Sequence, residues 1–243
     1  MSKIKKSLQK RYRELINYFQ NGKKILVLSD SHGGVFEYIN DHNLILPHLI
    51  NVKVVGGATA YGLNNSNSSS QTLKHFLSEL NRFKTYNTII IQLGEVDCAY
   101  ILWKKAQDYK NSAYDNISIS IRGYELLIKE LLPYKKRIIL SGAILPTVRD
   151  GQKNSSEVAL RDTVSTSQLE RTNLTLKFNE QLKLLAIKYG LDYIDITEET
   201  MNKDTNVVDD KFIIKDKVDH HQSQENTALL WSSKLQSLIN KKL

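Results

Sequence analysis

The segment Ile25–Gly34 reads ILVLSDSHGG. Four apolar residues, Ile25 to Leu28, run into a polar cluster holding a serine, an acid and a histidine, and two glycines follow. A short, unbroken apolar run closed by such residues is what a strand buried on both faces requires. A buried strand ending in Asp30-Ser31-His32-Gly33-Gly34 brings a nucleophile to the edge of a sheet. Ligand sites of open α/β sheets lie beyond the carboxyl ends of their strands.

Outward from this segment, apolar runs alternate with helical patterns. Strands are expected at Lys24–Leu28, Asn51–Val55, Thr88–Leu93, Arg137–Ser141 and Tyr193–Ile196. Helices are expected at Gln71–Phe83, Ile117–Leu132, Leu169–Tyr189 and near Glu225–Asn240, with Gly190 as a helix stop. This βαβα order predicts a three-layer α/β/α sandwich with a flavodoxin-like five-stranded parallel sheet and right-handed crossovers. Residues 1–22 are expected to form a basic amphipathic helix, and residues 23–243 a single α/β domain with a polar loop insertion near 147–168. That insertion and Asn64–Ser70 (NNSNSSS) both leave the edge where the site is expected. Each reads as surface filler or as a loop that shapes the substrate site.

The chain has 243 residues, 41% of them apolar, enough for one large domain with a real core. Cys98 is the only cysteine, which excludes an intrachain disulfide and fits a reducing compartment. The first residues carry charge without an apolar signal-peptide core, and no run approaches the length of a membrane span. A cytoplasmic location is therefore expected, with or without peripheral contact to a membrane. The net charge is +8, and residues 1–24 carry eight Lys and Arg against Glu14 alone, which is +7 and leaves +1 for the remainder. Ile4, Leu8, Tyr12, Leu15 and Phe19 recur at helical spacing among those basic residues. The plain expectation is a docking helix with a solvated basic face. The functional one is contact with an anionic membrane surface or an acidic polymer. Nucleic acid is not expected, since no recognition motif accompanies the charge.

Three further polar clusters fall at strand ends or before the last helix: Gly56-Gly57-Ala58-Thr59-Ala60-Tyr61-Gly62, Leu93-Gly94-Glu95-Val96-Asp97-Cys98 and Val218-Asp219-His220-His221-Gln222-Ser223. In a doubly wound sheet all can converge on one edge. In their order these blocks resemble the SGNH (GDSL-like) hydrolase family. Asp30-Ser31 is similar to the block whose serine is the nucleophile. Gly57-Ala58-Thr59 is similar to the block whose glycine N–H helps form the oxyanion hole. Gly94-Glu95-Val96-Asp97 is similar to a block that normally reads Gly-x-Asn-Asp, and His221-Gln222-Ser223 with Asn226 to the block of the base histidine. The Gly-Glu-Val-Asp-Cys variant further resembles a subgroup associated with bacterial surface or capsular polysaccharide.

That resemblance implies serine-dependent acyl transfer or ester hydrolysis through an acyl-enzyme. Ser31 is the expected nucleophile and His221 the base, with His220 its rival. Asp219 would orient the imidazole. The N–H groups of Ser31 and Gly57 would form the oxyanion hole, while His32, Glu95 and Asp97 would brace the loops. Two positions depart from the family. Val96 stands where an oxyanion asparagine belongs, and Asp219 lies two residues before His221 rather than three, a place held by Val218. Loss of such a donor costs about 10²–10³ in rate elsewhere. Asn64, Asn65 and the Gly33 N–H are candidate replacements. No metal and no tightly bound cofactor are expected, with acetyl-CoA a candidate acyl donor and a glycan or other acylated small molecule the substrate. The polysaccharide link favours O-acetyl transfer to, or removal from, a bacterial surface polysaccharide.

Two rival readings stand beside this one. A metallophosphoesterase would use Asp30 and His32 as ligands, but the 64 residues from Asp30 to Gly94 are about twice that family's spacing, and its later histidine blocks are absent. A non-enzymatic module of the same fold would bind a glycan or a partner after losing the asparagine at position 96.

Overall fold

A computed structural model describes residues 3–79, 85–152, 156–215 and 219–240. Helix α1 (Lys3–Phe19) precedes strand β1 (Lys24–Ser29), helix α2 (Gly34–Asp41), strand β2 (Leu49–Val54) and helix α3 (Thr72–Glu79). Strand β3 (Thr88–Gln92) is followed by helices α4 (Leu102–Tyr109) and α5 (Ile117–Leu131) and strand β4 (Arg137–Ser141). Helix α6 (Gln168–Tyr189), strand β5 (Asp192–Ile194), the short helix α7 (Thr197–Thr200) and helix α8 (Gln224–Ile239) complete the order.

The five strands form one parallel sheet in the order β2-β1-β3-β4-β5. This is the doubly wound flavodoxin-like order, and its switch point falls between β1 and β3. Side chains alternate across the sheet as the strand period requires. Leu26, Leu28, Ile89, Ile91, Ile138 and Leu140 pack with Tyr124 of α5 and Leu174 and Phe178 of α6. Ile25, Val27, Ile90 and Ile139 pack with Phe36 of α2 and Trp231 of α8. Covering on both faces explains why the strands read as solid apolar runs rather than alternating ones.

Strand β4 has the expected bounds, and the others differ by one to three residues at their ends. Helix α6 starts on a reciprocal cap, in which Ser167 accepts from the Glu170 N–H and the Glu170 side chain accepts from the Ser167 N–H. The expected helix over Gln71–Phe83 is observed as α3, and residues 80–84 lie outside the described residues. Three helices, α2, α4 and the four-residue α7, were not read from the pattern. Helices α2 and α4 are eight residues each, too short to establish a period. One turn of π-helix over Asp97–Ile101 leads into α4.

Helix α1 departs from the plain docking expectation. Its buried contacts are polar: Arg13 and Asn17 turn inward, while Leu8, Tyr12, Leu15 and Phe19 are exposed. Arg13 pairs with Asp41 at 3.1 Å, and Asn17 donates to the carbonyl of Pro47 at 2.9 Å. These anchors lie at the amino ends of the strands.

Helix α5 is pressed against the loop after β2 at Gly123. A Cβ there would stand 1.9 Å from the Ala60 carbonyl oxygen and 2.9 Å from Asn64 Nδ2. In an open helix, Gly→Ala stabilises by about 1 kcal/mol. Gly123→Ala is expected to do the reverse and destabilise by about 1–3 kcal/mol, measured as a lower urea midpoint with an unchanged slope.

Candidate active site

The polar clusters after β1 and β3 and before α8 meet at the carboxyl edge of the sheet, and the β2 cluster is bound to the β3 cluster. Strand β1 ends at Ser29, whose hydroxyl donates to Gln92 Oε1 of β3 at 3.2 Å. Asp30 then turns the chain, its Oδ1 accepting from the His32 N–H at 2.9 Å and lying 3.0 Å from His32 Nδ1. Ser31 follows at the start of a single tight turn that leads into α2. Ser31, His221, Gln222 and Gln92 line one small pocket, backed by Val35, Ile144 and Trp231.

The loop before α8 repeats the turn seen at Asp30. Asp219 Oδ1 accepts from the His221 N–H at 2.9 Å and lies 2.7 Å from His221 Nδ1. The carboxylate can only accept, so Nδ1 carries the proton and Nε2 is left as an acceptor. The spacing of two residues, rather than three, is thus no obstacle to an acid–imidazole pair, because the loop folds back on itself. Val218 lies outside the described residues. Burial lowers the His221 pKa, and the charge on His32 lowers it further, against the pull of Asp219. Burial also takes His220 down, to about 4. Both imidazoles are neutral near pH 7.

His32 behaves differently. Burial would depress it, but the carboxylates of Glu95 and Asp30 outweigh that and hold it up at about 9. Its Nε2 lies 3.5 Å from Glu95 Oε2 and 3.3 Å from the carbonyl of His220. Its ring centre is 4.6 Å from that of His221. His32 therefore sits as a buried cation between the Ser31 turn and the His221 loop. Glu95 is itself buried. Burial alone would raise its carboxyl, but Arg161 and His32 bring it to about 2. Arg161 grips it through two bonds of 2.7 and 2.8 Å.

Asp97 ties the second and third clusters together. It accepts from the N–H groups of Ala60 and Tyr61, each at 2.8 Å, and from the Ser120 hydroxyl at 2.7 Å. Burial still lifts its carboxyl to about 6. Gly57 lies just beyond β2 at φ +66° and is exposed, and its N–H has no hydrogen-bond partner among the described residues. Two candidate replacements for the asparagine at Val96 are already engaged. The Gly33 N–H donates to the Asp30 carbonyl, and Asn64 Nδ2 donates to the carbonyls of Tyr61 and Ile119. Asn65 is exposed and accepts from the Asn67 N–H.

The ring nitrogens of His32, His220 and His221 come within 4.8 Å of one another, a spacing that could admit a cation. Both ring nitrogens of His32 already face carboxylates, Nδ1 at 3.0 Å from Asp30 Oδ1 and Nε2 at 3.5 Å from Glu95 Oε2. Asp30 and His32 likewise face each other rather than a shared ligand.

Sequence reasoning missed three side chains here. Arg161 comes from the insertion, within a turn spanning Ser156–Thr163. Only the need of a buried carboxylate for a cation pointed to it. Gln92 and Gln222 line the Ser31 pocket with Gln92 Nε2 and Gln222 Oε1 unpartnered among the described residues. The pocket that these two residues help line has a volume of about 20 Å³, room for one water.

No family model matches the chain, and no curated sequence matches it. Solved structures do. A GDSL-like lipase from Bacteroides thetaiotaomicron superposes with a TM-score of 0.61 at 13% identity, over 97% of this chain and 98% of that one. The aryl esterase of M. smegmatis gives 0.60 at 12% identity, over 89% and 100%. An acylhydrolase assigned in Bacteroides fragilis gives 0.58 at 13% identity, over 90% and 86%. At such identities the likeness is one of architecture, and with the sheet order above it leads to one statement: the chain has the SGNH-hydrolase fold.

Proposed function

We propose that this chain is an SGNH-type enzyme that moves acyl groups through an ester on Ser31. The observation that carries this reading is the 2.7 Å contact of Asp219 with His221 Nδ1, on an imidazole that shares its pocket with Ser31. A serine hydroxyl needs an adjacent base at neutral pH, and a neutral imidazole with a free Nε2 is one. Among the described residues no hydrogen bond yet joins Ser31 to His221, and such contacts commonly tighten only with substrate bound.

In the first step the Ser31 Oγ attacks the carbonyl carbon and its proton passes to His221 Nε2. The carbonyl π pair moves onto oxygen, where the N–H groups of Ser31 and Gly57 would meet it. The oxyanion pair then re-forms the carbonyl as the bond to the leaving group breaks, C–O in an ester or C–S in acetyl-CoA, and His221 returns the proton to the departing alkoxide or thiolate. Water or a sugar hydroxyl attacks the acyl-serine, giving its proton to His221, and Ser31 leaves with that proton. Water makes the chain an esterase; a sugar hydroxyl makes it a transferase.

The substrate we favour is an O-acetyl group on a bacterial surface polysaccharide, with acetyl-CoA as donor if the direction is transfer. The Gly-Glu-Val-Asp-Cys block is the support for this finer reading. Val96 and the engaged Gly33 and Asn64 donors favour a second reading, a glycan-binding module without turnover.

A fluorophosphonate probe is expected to label the chain at Ser31, and Ser31→Ala to abolish labelling. With an aryl acetate, Ser31→Ala and His221→Ala should each lower turnover by about 10⁴-fold or more. Absence of labelling, with glycan binding retained, would sink the enzyme in favour of the module.

The pH dependence follows from charge. A depressed His221 pKa places the acid limb of the rate profile below 6.5, the ordinary histidine value, with a plateau near neutrality. His32→Gln removes the neighbouring positive charge and leaves Glu95 nearby, so the His221 pKa should rise and the acid limb shift to higher pH. A rate profile that falls in height without moving along the pH axis would assign His32 a purely structural role.

A further inference from the structure

The apolar face of α1 is turned away from the protein. Leu8, Tyr12, Leu15 and Phe19 follow one another at spacings of four, three and four residues, so they form a single stripe. They are 61%, 58%, 57% and 77% exposed. Tyr18, beside the stripe, is 77% exposed. The opposite side of the helix holds it to the body. Gln9 donates to the Asp41 carbonyl, Arg13 to Asp41 and the Asn40 carbonyl, and Asn17 to the carbonyls of Pro47 and Lys23. An amphipathic helix normally buries its apolar stripe and hydrates its charges. Here the arrangement is inverted, and four large apolar side chains in one row are left facing solvent.

Charge decides what covers them. Residues 1–24 carry eight basic residues against Glu14, a balance of +7. Lys10 and Arg11 are exposed on the same helix. Two copies of this chain meeting stripe to stripe would press two such segments together, and the repulsion would oppose the contact. An acidic polymer would satisfy the charge but not the stripe. A bilayer rich in anionic lipid satisfies both, because its interface accepts aromatic and aliphatic side chains while its headgroups attract Lys and Arg. Helix α1 is polar taken as a whole, yet its apolar residues gather on one side and include aromatic rings. A helix of that kind suits the interfacial plane of a bilayer rather than its interior. No helix among the described residues is long and apolar enough to cross a membrane.

We propose that α1 is an interfacial anchor that docks the protein on anionic bilayers, with Leu8, Tyr12, Leu15 and Phe19 inserted, Arg11 flanking them at the headgroups and Lys10 adding its charge from the far side of the helix. The anchors of α1 lie at the amino ends of β1 and β2, and the Ser31–His221 pocket at the carboxyl ends. Docking therefore leaves the pocket facing away from the lipid. The inference does not depend on the proposed chemistry.

The test is flotation of the full chain with vesicles of phosphatidylcholine alone or phosphatidylcholine mixed with phosphatidylglycerol. Binding should require phosphatidylglycerol and weaken as salt is raised. The double variant Lys10→Glu/Arg11→Glu should bind more than tenfold less, at about fivefold or more per basic side chain lost. Leu15→Glu/Phe19→Glu should abolish flotation while its circular dichroism and melting temperature stay those of the parent. All four positions are exposed, so the variants leave the core untouched. Failure to float with phosphatidylglycerol overturns the proposal, as does flotation that survives Leu15→Glu/Phe19→Glu. So does a dimer in light scattering that is lost in Leu15→Glu/Phe19→Glu when the parent ignores vesicles. Retention on an acidic polysaccharide without vesicle binding would also overturn it.

Discussion

The site is organised around a carboxylate that has no business being dry. Glu95 is buried at the end of β3, where an unpaired negative charge would be prohibitive. Arg161 meets both of its oxygens and His32 stands on its other side. Removing one partner of such a buried pair typically costs about 3–5 kcal/mol, because the other charge stays behind unpaired. The pair therefore fixes the position of an insertion that is otherwise polar and loosely patterned. Glu95 also helps hold the charge on His32, which adds to the effect of burial in lowering the His221 pKa. Three stretches of chain far apart in sequence are made to agree by one ion cluster.

The two Asp-x-His turns share a local geometry and differ in outcome. In each, the carboxylate bonds the backbone N–H and the Nδ1 of the residue two positions on. Asp30-Ser31-His32 lies deep against Glu95, and its imidazole is charged. Asp219-His220-His221 lies nearer the surface and its imidazole is neutral. Identical covalent spacing thus yields a fixed cation and a free base, and only the surroundings separate them.

The architecture was legible because burial on both faces forces a recognisable composition on each strand. Ile25–Leu28 and Thr88–Gln92 could be little else once bounded by polar residues. Helices α2 and α4 were not legible, since two turns cannot establish a period. The pairing of Asp219 with His221 was readable as a residue set but not as a geometry, which depended on the loop bending. Arg161 left no local trace because its partner Glu95 is 66 residues away, and nothing in the sequence marks the unpartnered amide atoms of Gln92 and Gln222. Helix α1 was legible as an amphipathic helix but not in its orientation. Spacing reveals that a stripe exists, whereas only the hydrogen bonds of Arg13 and Asn17 reveal which way it points.

Helix α1 hangs from the body by side-chain hydrogen bonds to the start of the sheet, about one strand length, roughly 17–20 Å, from the reactive pocket. The proposed anchor and the proposed site thus lie at opposite ends of the strands and share no side chain. Substitutions that retune one end are insulated from the other by the whole thickness of the hydrophobic core. Such a layout separates the residues of the proposed anchor from those of the proposed site, so either set can change without touching the other.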